Sequence, residues 1–152
     1  MNRIKIANWH LIGLALPFQT SNVQGQSSID CGNLWQQFTT EKYTDRIPNK
    51  LDENIFAVYH NYEEDSSFSY FIGCRVAENS PVPPGMDRLT IPEGSYMIIV
   101  AKGKMPDCMV NTWKDIWNSD IPRAYRTDFE VYSEKSKNWD KAEVDIYLSL
   151  MP

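Results

Sequence analysis

Phe56-Ala57-Val58-Tyr59 returns 73 residues later as Phe129-Glu130-Val131-Tyr132, with alanine replaced by a carboxylate. Ile47-Pro48 precedes the first copy as Ile121-Pro122 precedes the second. Leu34-Trp35-Gln36-Gln37-Phe38 is echoed by Thr112-Trp113-Lys114-Asp115-Ile116-Trp117. These echoes keep the same order, and their offsets drift by only a few residues, as changes in loop length produce. The chain therefore reads as two copies of one unit, about 3–79 and about 86–152, within a single domain spanning 1–152. Only the second copy carries the acid.

Working outward from the two tetrapeptides, each unit reads as β-α-β-β. In the first, residues 3–16 form a long strand, and Thr20 to Ser28 form a polar loop. A helix follows from about Ile29 to Thr40, with Asp30 at its cap and Leu34, Trp35 and Phe38 on one face. Residues 54–62 and 68–77 are aromatic or β-branched strands joined by the polar hairpin loop 63–67. A Pro/Gly-rich joint at 80–85 turns the chain into the second unit. There, residues 89–102 give a strand pair, or one strand broken near Pro92-Glu93-Gly94. A helix at 107–119 carries Met109, Val110, Trp113, Ile116 and Trp117 on its face, and strands at 128–133 and 142–150 complete the copy.

Composition excludes several classes. The net charge of −5 and the lack of any Lys/Arg cluster argue against direct nucleic-acid binding. Hydrophobic residues at 42% and charged residues at 23% belong to a chain that folds. Cys31, Cys74 and Cys108 are far apart and odd in number, which suits a reducing cytoplasm rather than a disulfide framework or zinc site. The run Leu11–Leu16 follows Arg3 and Lys5 as a secretory leader would, but it is short and preceded by Asn8 and His10, so it reads as a buried strand. No run approaches the ~20 apolar residues of a membrane span.

Period-2 alternation places Glu130 and Tyr132 on one face of their strand, with Ala57 and Tyr59 on the equivalent face of the first copy. In the last strand Val144, Ile146 and Leu148 share a side, opposite Glu143, Asp145 and Tyr147. If the helices lean over the face bearing Glu130, the acid lies among Tyr59, Tyr132 and Tyr147, with Trp35 and Trp113 above. A carboxylate in an aromatic cleft suits an amphipathic organic cation: ring faces attract positive charge with roughly 0.5–2 kcal/mol each, and a low dielectric strengthens the counter-charge. Periodicity alone leaves the plainer reading open, a solvated Glu and core tryptophans.

The duplicated plan resembles the GyrI-like effector-binding domains, which form the ligand-sensing half of AraC-type and multidrug-responsive regulators, and more closely the integron-associated effector-binding proteins. The residues that carry this are Leu34–Phe38, Ile47-Pro48-Asn49, Tyr70–Val76, Ile91–Tyr96, Trp113–Trp117 and Asp128–Tyr132, over nearly the whole chain from about Lys5. The resemblance implies an α+β fold: tandem pseudo-symmetric β-α-β-β repeats forming an antiparallel sheet, with two helices flanking a ligand groove. It implies that an acid in the late strand receives lipophilic cations, a role that maps onto Glu130. Tyr147, an aromatic on the following strand, is the second match, and Tyr59, Phe71, Trp35 and Trp113 take a general lining role. The sensor-like region fills the chain, so transcriptional control would need a DNA-binding partner in trans; the alternative is a protein that only sequesters its ligand.

A binding module for drug-like organic cations, with no cofactor and no metal, is therefore the first functional reading. A hydrolase of small reactive molecules is second, although there is no GxSxG, HExxH or P-loop. His10 and His60 read as surface or strand residues, and Cys74 as a core thiol. A gyrase-interacting protein is third, and exposed edge strands leave a homodimer open.

Overall fold

The computed structural model describes residues 3–152. Its elements in chain order are β1 (Arg3–Ile6), β2 (Trp9–Ala15), α1 (Gln26–Thr40), β3 (Ile55–His60), β4 (Ser69–Val76), β5 (Asp87–Ile91), β6 (Gly94–Gly103), α2 (Asp107–Trp117), β7 (Thr127–Tyr132) and β8 (Ala142–Ser149). All eight strands join one antiparallel sheet in the order β1-β6-β8-β7-β3-β4-β2-β5. The fold is thus the expected α+β arrangement of two pseudo-symmetric halves, each with one helix.

The two halves meet at the β3–β7 pair, where Ala57 lies directly opposite Glu130. The pseudo-twofold axis therefore runs between these two residues. The first half has one strand more than expected, and in the second the stretch 89–102 is the strand pair of the two readings offered. The long strand read over 3–16 divides near Ala7-Asn8, so that β1 pairs with β6 while β2 pairs with β4 and β5. The stretch 89–102 likewise divides near Pro92-Glu93 into β5 and β6. Each half therefore lends its first strand to the far edge of the other.

These exchanges force the sheet to curl. β1 and β2 are six positions apart in the sheet, about 29 Å if it were flat. The two-residue link between them spans no more than about 11 Å. The same holds for β5 and β6, and the outcome is a half-barrel. Gly13 and Gly73 face each other across β2 and β4, and a Cβ on either would collide with the opposite backbone, so neither position admits a side chain.

Alternation along the strands divides the core into two faces. Inside the curl, Leu11, Phe56, Val58, Phe71, Tyr96 and Phe129 pack on one another. On the outer face, α1 sets Leu34 and Phe38 against Ile12, Leu14, Ile72 and Cys74. There too, α2 sets Cys108, Met109 and Ile116 against Ala101, Val144, Ile146 and Leu148. Val110 and Trp117, read as part of the apolar face of α2, are instead exposed.

The start of α1 also differs from expectation. The helix begins at Gln26 after Gly25, whose φ of 71° is left-handed. Asp30 is consequently inside the helix and buried, not at its cap. Its carboxylate accepts hydrogen bonds from Thr20 Oγ1 at 2.7 Å and Gln26 Nε2 at 2.9 Å, which tie the first turn to the preceding loop. Among the described residues no helix is long and apolar enough to cross a membrane.

Candidate functional site

Glu130 sits on the outer face of β7, between the two helices, and is only 3% exposed. Period-2 geometry gives Tyr132 the same face, and the β3–β7 register brings Tyr59 alongside from the other half. Tyr132 donates its hydroxyl to Oε1 at 2.6 Å. Tyr59 donates to Oε2 at 2.9 Å, and Trp113 Nε1 of α2 donates to the same oxygen at 2.7 Å. Each of these donors is neutral. Burial raises the Glu130 carboxyl above its ordinary value, although the three hydrogen bonds pull it down.

Trp35, the counterpart of Trp113 on α1, donates Nε1 to Tyr70 Oη at 2.7 Å and packs edge-on to Tyr132, with ring centroids 5.0 Å apart. Tyr59 lies edge-on to both Tyr70 and Trp113, at 5.1 and 5.5 Å. A cavity of about 820 Å³ opens above this floor, within the size range of sites for drug-like molecules. Trp35, Tyr59, Trp113, Glu130 and Tyr132 all line it. Neither histidine does. Cys31 also lines it, and burial pushes its thiol up to about 12.

Two residues expected at the site lie elsewhere. Phe71 is paired with Val58 and points into the curl. Tyr147 pairs with Phe129 and stacks on it at 4.5 Å, also on the inner side. The register sets Ile146, not Tyr147, beside Glu130, because the apolar side of β8 is needed beneath α2. Cys74 is a core thiol, pushed up to about 12 by burial.

The sequence reading passed over Tyr70 and Asp128, although alternation puts Tyr70 on the outer face with Ile72, and Asp128 with Glu130. Asp128 is fully buried and accepts from Arg123 Nη2 at 2.7 Å, Tyr62 Oη at 2.7 Å and the Ser149 backbone N–H at 2.8 Å. Arg123 lies in the loop between α2 and β7, where no periodicity marks it. One strand face therefore carries two buried acids, one with an arginine and one without a cation.

The profile of the family described as "Integron-associated effector binding protein" matches residues 10–150. The chain belongs to this family. Its relatives include the Bacillus subtilis (strain 168) protein YobU, 24% identical over 77% of each chain, whose name assigns it to the transcriptional regulators. Another is the transcriptional regulator BrlR of Pseudomonas aeruginosa, 26% identical over 78% of this chain; the match spans 46% of BrlR, less than half its length. Among solved structures, the integron cassette protein VCH_CASS2 from the mobile metagenome of Vibrio cholerae is 25% identical, with a TM-score of 0.69 over 99% of this chain and 95% of its own. SAV2435, solved bound to tetraphenylphosphonium, shares the fold with a TM-score of 0.80 at 18% identity, over 99% and 93% of the two chains.

Proposed function

We propose that this effector-binding chain receives lipophilic organic cations in the cavity between α1 and α2, with Glu130 as the counter-charge. One observation carries the reading: Glu130 is a buried carboxylate whose three partners are all neutral donors, so the site holds negative charge without a positive one. Leaving a buried charge unpaired costs several kcal/mol, and a cationic ligand removes that cost.

The existing bonds also select the kind of cation. A carboxylate offers about four lone-pair sites, and three are occupied by Tyr59, Tyr132 and Trp113. A ligand that brings several N–H donors finds little left to bond. A quaternary or delocalised cation brings charge without that demand, and the tyrosine and tryptophan faces add cation–π attraction of about 0.5–2 kcal/mol each. The complex of SAV2435 with tetraphenylphosphonium supports this class of ligand. The relatives YobU and BrlR, both named as transcriptional regulators, support a role in transcriptional regulation.

The test is titration with tetraphenylphosphonium, followed by tryptophan fluorescence. Wild-type protein is expected to bind, and Glu130→Gln to bind about 30-fold or more weakly, as for loss of one member of a buried charge pair. Circular dichroism checks that the variant folds. Equal affinity in the two proteins would remove Glu130 from the site.

A further inference from the structure

The cavity has a second negative pole. Glu63 and Glu64 line it as well, from the loop between β3 and β4, and both are exposed at its mouth. Neither forms an ion pair among the described residues. Among the described residues no lysine lines the cavity, and Arg123, the one basic residue that does, is held by Asp128 at 2.7 Å. The lining thus holds three carboxylates that no protein cation neutralises: one at the floor and two at the rim.

One wall of the cavity is aromatic. Tyr62 and Tyr125 meet edge-on at 6.0 Å, and Tyr62 also packs against Phe68. All three rings line the cavity. Tyr59, whose hydroxyl bonds Glu130, precedes Glu63 by four residues; β3 ends at His60 and Asn61 turns left-handed at a φ of 52°, so their backbones lie no more than about 13 Å apart. Resting on the reading of Glu130 as the cation's counter-charge, we infer that the preferred ligand is an elongated dication. One positive group sits at Glu130, a second at Glu63 and Glu64, and an apolar spacer runs along the aromatic wall.

The rim pole differs in strength from the floor pole. Water and salt screen exposed carboxylates, so the second charge adds modestly and in a salt-dependent way. Its main effect is to rank ligands by length and charge number.

A matched pair of ligands tests this: decamethonium, with a quaternary ammonium at each end of a ten-carbon chain, and decyltrimethylammonium, with the same chain and one charge. Calorimetric titration of wild-type protein at low salt is expected to show decamethonium binding roughly threefold to tenfold tighter, the range of one or two exposed charge contacts. Glu63→Gln/Glu64→Gln, at exposed loop positions that leave the core untouched, is expected to abolish that difference, chiefly by weakening decamethonium. Equal affinity of the matched pair for wild-type protein, or a preference that survives the double substitution, overturns the rim pole and leaves the single-cation reading standing. Failure of these ligands and of tetraphenylphosphonium alike overturns both.

Discussion

Ala57 and Glu130 occupy equivalent positions in the two halves and face each other across the central strand pair. One is a methyl group and the other a buried carboxylate, yet their surroundings are nearly the same. Tyr59 and Tyr132 are equivalents of each other, and both turn their hydroxyls toward the single acid. The helices break the balance, because Trp113 reaches Glu130 while Trp35 reaches Tyr70. A twofold axis explains why only one copy is acidic. Side chains facing each other there are about 4.5–5.5 Å apart at Cβ, too close for two buried carboxylates to ionise together.

Restoring the symmetry is the most severe way to break this comparison. Ala57→Glu sets a second buried acid against Glu130 and should destabilise the fold by about 4 kcal/mol or more, measured by urea denaturation at neutral pH. In a Glu130→Gln background the same substitution should cost less, and that non-additivity isolates the repulsion.

A second contrast lies within the acid-bearing half. Asp128→Asn leaves Arg123 buried without its counter-ion and should cost about 3 kcal/mol or more. Glu130→Gln strands no cation, and its effect should follow pH. The Glu130 carboxyl is raised by burial, so the folded state holds its proton more tightly than the unfolded chain. Stability from this group is full below the ordinary glutamate value and is lost as pH rises through the folded value. Glu130→Gln should remove that decline, giving a variant with a higher melting temperature than wild type at neutral pH.

The smallest effects separate the two tryptophans. Trp113→Phe removes a hydrogen bond to the carboxylate and should cost about 2 kcal/mol, together with cation affinity. Trp35→Phe removes a bond to a neutral hydroxyl and should cost about 1 kcal/mol, with less loss of affinity. Equal losses of affinity would mean that the cation does not sense which half holds the acid.

Much of this arrangement was legible in the repeat itself. The paired tetrapeptides located the central strands, and alternation put Glu130, Tyr59 and Tyr132 on one face, where the structure has them. What escaped was register. Nothing in a single strand says which of its sides pairs with which side of a neighbour, so Tyr147 was set beside Glu130 although Ile146 lies there. Phe71 was preferred to Tyr70 for the same reason. The divided strand at 3–16 was hidden because its two-residue break carries no Pro or Gly. Arg123 was illegible because its value lies in a long-range partner, Asp128, and not in its neighbours.

The central claim is that the acid of the second half carries the charge that receives the ligand. The most direct measurement is tetraphenylphosphonium affinity as a function of pH in wild-type protein and Glu130→Gln. A permanent cation cannot titrate, so any change belongs to the protein. Because burial raises the Glu130 carboxyl, the wild-type affinity should climb as pH rises above the ordinary glutamate range. The variant's weak affinity should stay flat. Wild-type affinity that is itself flat from about pH 4 to 8 would contradict the account, because it would mean that ionisation of Glu130 plays no part in binding.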